Sequence, residues 1–499
     1  MSLDENTHLT ALAVQQEKRL VKSLGRLDIV LFIIAAYISL DTIGSIAVGG
    51  SQSLFWAIFI VITFMIPNAL LMAETGSAFP EEGGPYQWVK FAYGRLPAGI
   101  AAVLYWITNP LWLGGSLCFI AYEAFSSYLV HIHSGSIFEW VFKLGFIWLA
   151  IGLAMISLKS GKEIINLAAY AKIAVLVIMV VTTAIYGIKN GFQPFDFKGL
   201  APSVAGFMGV APIILFSYVG FEAPNAASGE MHNPQKDTAP SIRIGSIVSA
   251  LAYVLPVLAI LLVVPRKDVG GLSGFMSAVE TVFSVYGGAS KFLLGVASLL
   301  FIFGLLGLGA SWMMATDRVQ AIAAADGAFM NGWFGEFSER FGTPLRVNAL
   351  SGVMASIFLV AGMELVSGNS GSIFKVVLSC AVSTLLVSYL LIIPAIMKLN
   401  RKYRNVERPF VTPGGQRGFQ IMGWVVLAYI AIGSIGVVFP GTIEGLLGID
   451  YSFKDVWGLN RGQVELFTIG TIAADLFVGI IGYALARKIR ANLVKESEV

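Results

Sequence analysis

Charge is scarce in this chain. Asp, Glu, Lys and Arg make up 13% of its 499 residues, against about 25% in a soluble domain. Cysteine is almost missing: Cys118 and Cys380 both lie inside apolar runs, which excludes a disulfide framework. Histidine is as rare, limited to His8, His131, His133 and His232, and no Ser/His/Asp constellation or metal cluster is visible. His131 and His133 flank one residue but have no third ligand placed beside them, so they read as loop histidines. No Gly-x-x-x-x-Gly-Lys-Ser/Thr segment occurs, which removes a nucleotide-driven pump. Nothing resembles a repeated selectivity ring, which argues against a channel. The net charge of +3 forms no basic face, so no nucleic-acid partner is expected. Residues 1–26 are polar and lack a short apolar core, so no removable signal peptide is expected.

What the chain has in abundance is apolar sequence. It is 56% hydrophobic with a mean hydropathy of +0.77, and apolar runs longer than 18 residues recur along it. The reading is an all-α polytopic membrane protein. Twelve segments can cross a hydrocarbon core of about 30 Å: 27–50, 54–79, 96–129, 137–158, 164–188, 204–228, 241–264, 290–322, 346–366, 372–398, 419–440 and 463–487. With the N-terminus inside, the outer segments hold Lys189, Lys198, Arg266, Lys267, Lys291, Lys454 and Arg461. Lys143, Lys172 and Lys375 fall within spans, and the rest of the 33 basic residues lie inside. The positive-inside rule then puts both termini in the cytoplasm, in the plasma (inner) membrane, with the bilayer itself as partner. Phe275–Tyr286 is amphipathic and is expected as a short helix on the outer surface. The inner loop 317–346 carries helical periodicity as well, and Pro67 is expected to kink the second span.

Two spans carry signs of interruption at mid-depth. Asp41-Thr42-Ile43-Gly44-Ser45 lies in the first, and Ser217-Tyr218-Val219-Gly220-Phe221-Glu222 lies in the sixth between Pro212 and Pro224. Corresponding interruptions point to an inverted five-plus-five repeat with a guest bound between the halves. Broken half-helices leave N–H groups for a carboxylate and C=O groups for an ammonium. The alternative is that these glycines merely permit close helix packing.

Four stretches resemble the amino acid–polyamine–organocation (APC) permeases. The first is Ala73-Glu74, followed by Phe79-Pro80-Glu81-Glu82-Gly83-Gly84-Pro85-Tyr86-Gln87-Trp88 and closing at Gly94. The second is Phe216 to Glu222, followed by Gly229-Glu230-Met231-His232-Asn233-Pro234. The third is Asp317-Arg318, Ala325-Asp326-Gly327 and Gly342-Thr343-Pro344; the fourth is Arg408-Pro409-Phe410 with Pro413-Gly414. The resemblance implies a LeuT-type fold with alternating access: a polar segment 1–26, a ten-helix transport core 27–398, two accessory helices in 399–487 and a cytoplasmic tail 488–499. The first span lacks the Gly-Ser-Gly run of many members and in this respect is similar to the glutamate/GABA-exchanger and plant polyamine-uptake branches.

Individual residues carry paired readings. Asp41 is an anionic partner for a ligand ammonium or an internal capping acid, since an unpaired charge at that depth is costly. By resemblance, Glu222 is a protonatable switch; otherwise it is a carboxylate that holds the broken helix together. Lys172, by the same resemblance, substitutes for the sodium ion of LeuT-type symporters; otherwise it snorkels to the inner surface. Phe216 and Trp312 match gating or stacking aromatics of the family, and an aromatic face can cover a cation. The expected binding set is therefore Asp41, Thr42, Ile43, Gly44, Ser45, Phe216, Ser217, Tyr218, Val219, Gly220 and Trp312, with Lys172 and Glu222 in coupling. Glu74 is expected to organise the cytoplasmic gate, while Glu139 and Lys143 have the i, i+4 spacing of an ion pair. The expected function is secondary transport of amino acids or related amines, proton-coupled or exchanging, without enzyme activity, metal or cofactor. The alternatives are a polyamine carrier and a non-transporting sensor.

Overall fold

The computed structural model describes residues 9–17, 19–156, 158–265, 274–365, 370–451, 453, 460–491 and 493–494. His8, Arg266, Lys267 and Lys454, which entered the sequence argument, lie outside the described residues. Lipid offers the backbone no hydrogen bonds, so these apolar runs satisfy their own N–H and C=O groups as helices. The elements are α1 (Ala11–Glu17), α2 (Arg26–Tyr37), α3 (Leu40–Ala47), α4 (Gly50–Ala78), α5 (Gly84–Tyr93), α6 (Arg95–Tyr128), α7 (Ile137–Met155) and α8 (Leu158–Asn190). They continue as α9 (Val204–Ser217), α10 (Pro234–Val263), α11 (Gly274–Phe283), α12 (Ser290–Ala325), α13 (Leu345–Leu365), α14 (Ser370–Lys402), α15 (Gly415–Val438) and α16 (Arg461–Leu485). Among the described residues 10 spans are long and apolar enough to cross a bilayer; the bent pair α2–α3 adds one more, and α9 is a shorter apolar helix. The protein is a multi-pass, all-helical membrane protein, apart from a two-residue antiparallel pairing of Leu9–Thr10 with Leu493–Val494.

Burial separates the helices into a centre and a rim. The apolar window of α6 is 100% buried and that of α14 is 83% buried, whereas α16 buries only 22%. α12 packs on α2, α6, α7 and α8, and α10 packs on α2 and α4, so α2 sits between α10 and α12. Large apolar side chains such as Ile62, Val177, Leu251 and Ile480 remain exposed on the outer faces. In water that pattern would drive association; in a bilayer it is the lipid-facing surface.

Both interruptions are real; the first is displaced from its expected position, while the second lies at Ser217–Glu222 as expected and differs in the form of the chain beyond it. The first break falls at Ile38–Ser39, ahead of the expected Asp41–Ser45, which wind into α3; α2 and α3 are bent by 46°. Other helices take up the backbone groups freed there. The Ser39 N–H donates to the Tyr253 hydroxyl at 2.9 Å, and the Ile38 carbonyl accepts from Lys172 Nζ at 2.7 Å. Helicity resumes at Leu40 because the replacements end at residue 39. In the sixth segment α9 ends at Ser217, and the chain beyond Glu222 forms a 3-10 turn, Ala223–Glu230, rather than an α-helix. Gly220 has φ +118°, and a Cβ there would stand 2.8 Å from the Trp312 ring, so both backbone angle and space demand glycine.

Other expectations are refined. Residues 275–286, expected on the outer surface, form α11 with Phe275, Met276, Val279, Val282 and Phe283 buried, followed by a 3-10 turn. The amphipathic stripe faces protein, because α11 lies against α3, α8 and α12. Gly44 serves this approach: a Cβ would come within 3.0 Å of the Phe275 backbone nitrogen. In the 317–346 stretch the helix of α12 runs to Ala325, and before α13 only Gly332–Gly335 winds again, as a 3-10 turn. Near Pro67, α4 passes through a π-helical turn at Val61–Met65, a recognised way to disturb a helix.

Candidate functional site

The two breaks face each other across a cavity enclosed by α6, α9, α12 and α14. Its lining includes Tyr37, Ser39, Asn109, Trp112, Phe216, Ser217, Val219 and Trp312. Its free volume is about 10 Å³, near the minimum for a single water molecule. Side chains nearly fill the space between the breaks. Aromatic rings pack around the void: Trp112 meets Phe216 edge-on at 5.0 Å and Trp312 at 6.5 Å, while Tyr37 stacks on Phe221 at 4.1 Å. Trp312 is fixed by its indole N–H, which donates to the Ala36 carbonyl at 2.5 Å.

Asp41 is buried beside this cavity and accepts only from neutral donors. Trp112 Nε1 donates to Oδ2 at 2.9 Å, Ser116 Oγ reaches the same oxygen at 3.5 Å, and the Ser39 hydroxyl donates to Oδ1. Thr42 joins the two broken segments, since Ser217 Oγ donates to Thr42 Oγ1 at 2.9 Å. Two polar atoms on the lining, the Tyr37 hydroxyl and Asn109 Oδ1, are buried without a hydrogen-bond partner. Buried polar atoms without a partner are uncommon in a folded interior, and a water molecule or a ligand in the cavity would satisfy these two.

The remaining expected residues take different positions. Phe216, Ser217, Val219 and Trp312 line the cavity, and Gly220 donates its N–H to the Tyr389 hydroxyl at 3.0 Å. Tyr218 turns away, and its hydroxyl donates to the Ala57 carbonyl at 3.3 Å. Asp41, Thr42, Ile43, Gly44 and Ser45 are all outside the lining; Asp41 and Thr42 reach it only through the side chains they bond, Ser39, Trp112 and Ser217. Lys172 does not snorkel: it is fully buried and donates to the Ala35 and Ile38 carbonyls at 2.5 and 2.7 Å, capping the open end of α2. Glu222 sits behind the second break, where Tyr105 donates to Oε1 at 2.8 Å and Tyr389 to Oε2 at 2.5 Å.

Sequence reasoning missed Tyr37, Tyr105, Asn109, Trp112, Tyr253 and Tyr389. Asn109-Pro110 in mid-helix, just ahead of Trp112, was the available signal for α6. The tyrosines gave no such sign, because an apolar helix carries buried tyrosines for packing as often as for hydrogen bonding.

At the end of the molecule where α4 meets α5, the charged residues of the quoted motifs form ion pairs. Arg318 Nη2 lies 2.7 Å from Glu230, with Glu82 3.8 Å from its Nε. Asp326 receives Lys90 at 2.8 Å, Arg95 at 3.1 Å and the Tyr86 hydroxyl at 2.7 Å. Glu74 accepts from Arg408 Nε at 3.1 Å, Asn400 Nδ2 at 2.8 Å and the Thr412 N–H at 2.7 Å, tying α4 to the turn after α14. The N-terminal segment closes over this end: Thr10 Oγ1 donates to the Ala325 carbonyl at 2.6 Å, and the Ser23 and Leu24 N–H groups donate to the Glu230 carbonyl. Burial, with Glu17 nearby, pushes the Glu81 carboxyl up to about 7, and burial beside the Glu230 carboxylate raises Glu82 well above the usual range. Toward the opposite end, Glu139 and Lys143 form the expected pair at 2.5 Å, both buried.

Residues 24–445 match the family described as amino acid permease. The chain is 26% identical to an uncharacterised transporter of Legionella pneumophila over 92% of its own length and 96% of the relative. It is 23% identical to the probable agmatine/putrescine antiporter AguD of Lactococcus lactis, covering 82% of the chain and 87% of that protein. It is also 22% identical to the branched-chain amino acid permease BcaP of Bacillus subtilis, over 81% and 86%.

Proposed function

Since the chain belongs to the amino acid permease family, we propose that it is a secondary transporter that carries an amino acid or a related amine across the bilayer by alternating access. The observation that carries this reading is the aromatic-walled cavity between two interrupted helices, with Asp41 beside it and two unpartnered polar atoms on its wall. The ligand ammonium binds toward Asp41 and the ring faces of Trp112 and Trp312. Tyr37 Oη and Asn109 Oδ1 supply the polar contacts that fix its orientation. The void is too small for any amino acid, so entry requires the broken segments to separate, including the Ser217–Thr42 and Trp312–Ala36 hydrogen bonds.

The architecture we infer has twelve spans, with residues 27–398 as a five-plus-five inverted repeat and 399–487 as accessory helices. The broken α2–α3 and α9 segments and the peripheral place of α16 support it. Both termini lie in the cytoplasm, in the plasma membrane, so the ion-paired end is the cytoplasmic gate. Lys172 and Glu222 are the coupling groups: each is buried at a break and held by neutral donors or acceptors that tolerate loss or gain of a proton. Protons are therefore the second partner, in symport or exchange.

An amine or polyamine is a second reading of the same site. It is favoured by a buried carboxylate amid aromatic rings and by the likeness to an agmatine/putrescine antiporter. The deciding experiment is counterflow into proteoliposomes preloaded with leucine, glutamate, arginine, agmatine or putrescine, after a thermal-shift screen of the same compounds. Counterflow of one class identifies the cargo; a ligand that raises the melting temperature without counterflow makes the protein a sensor and discards the carrier reading.

A further inference from the structure

A second cavity, a cleft of about 450 Å³, lies between α4, α10 and the turn after α14. That volume falls within the range of about 300–1,000 Å³ typical of small-molecule sites. Ile66 and Ala73, two helical turns apart, stand on one face of α4, and Phe410 roofs the cleft. On α10, Lys236 and Arg243 share one face seven residues apart, with Ile247 one turn further into the apolar part.

The two cations differ from their neighbours. Arg26 is paired with Asp237, Arg318 with Glu230 and Arg408 with Glu74, whereas Lys236 and Arg243 are exposed and have no ion pair among the described residues. Below them the walls are apolar and open outward, with Ile66 44% and Ile247 58% exposed. α4 and α10 are membrane spans, so these walls meet hydrocarbon, while Lys236 stands in the first turn of α10 and Arg243, about 10 Å further along the axis, has a side chain long enough to reach back toward the headgroups. A soluble anion would use the cations and leave the cleft empty; a zwitterionic lipid would fill the cleft but bring its own ammonium beside the two cations, offsetting the charge of its phosphate.

We propose that this cleft binds an anionic phospholipid, with its phosphate on Lys236 and Arg243 and one acyl chain between α4 and α10. The lipid also bears on the gate, since Phe410 lies between Arg408 and Thr412, both held by Glu74. The proposal requires only that α4 and α10 cross a bilayer, and it stands or falls separately from the transported cargo.

The test uses the full chain in neutral detergent, titrated with dioleoyl phosphatidylglycerol, dioleoyl phosphatidylcholine or inorganic phosphate, and read by native mass spectrometry and thermal unfolding. The expected result is one phosphatidylglycerol retained in preference to phosphatidylcholine, with a raised melting temperature and no response to phosphate. The double substitution K236Q/R243Q should weaken retention about 30-fold, from two cations near a charged surface. Ile247→Trp, which fills the cleft and spares the cations, should also displace the lipid, and it serves alone should the double variant fail to fold. Equal stabilisation by phosphatidylcholine or phosphate, or unchanged retention in either variant, overturns the site.

Discussion

The buried ionisable groups beside the two helix breaks and those at the ion-paired end are satisfied by different chemistry. At the breaks, Asp41 accepts from an indole and hydroxyls, Glu222 from two phenols, and Lys172 donates to backbone carbonyls. At the other end Arg318, Lys90, Arg95 and Arg408 meet carboxylates directly. A neutral donor loses little when its carboxylate takes a proton or turns toward a ligand ammonium. An ion pair in a low dielectric loses its partner's charge as well. The breaks are therefore built for changes of charge state, and the opposite end for holding one arrangement until a large driving force separates it.

The largest effect is expected at Arg318. Arg318→Ala leaves Glu230 and Glu82 buried without their cation and should cost about 3–5 kcal/mol, read as a fall of several degrees in the melting temperature in detergent. A melting temperature near wild type would show that the ion-paired end is not a clamp. Asp41→Asn keeps shape and neutral partners but removes the charge. It should leave folding intact while weakening an ammonium-bearing ligand by about 1.5–3 kcal/mol, roughly ten- to a hundredfold in apparent affinity. Unchanged uptake kinetics would remove Asp41 from the site.

A smaller effect is expected at Glu81, whose carboxyl burial raises from 4.5 to about 7. The folded state holds this proton more tightly than the unfolded chain. The stabilisation is therefore complete below about pH 4.5 and fades as pH rises through about 7. Unfolding measured from pH 4.5 to 8 should show falling stability, with a shallower slope in Glu81→Gln. The smallest effect is expected from Trp112→Phe, which keeps an aromatic wall and removes one hydrogen bond to Asp41. A loss of about 1 kcal/mol in stability or binding would fit a neutral donor; a loss as large as that of Arg318→Ala would erase the distinction between the two regions.

Much of the site was legible in particular residues. Asp41, Lys172 and Glu222 stood out because ionisable groups in apolar helices need a reason, whereas Phe216 and Trp312 were marked only by the resemblance to the permease family. The location of the first break was not legible. Ser39 carries no strong breaking signal, and the helix opens there because Tyr253 and Lys172, more than a hundred residues away, take its backbone groups. The amphipathic stripe of residues 275–286 was read as surface for a related reason: periodicity shows that one face is apolar and leaves open what covers it.

Taken alone, the sequence determined the solvent of this protein, because runs too apolar for water and too long for a core helix admit only a bilayer. It also determined that two of those runs are disturbed, since glycine, proline and charge are local properties of the chain. Tertiary structure decided which polar atoms meet across the interior, how tightly the cavity closes and which cations are left without a carboxylate. Those outcomes depend on distances between helices remote in sequence, which no local pattern encodes.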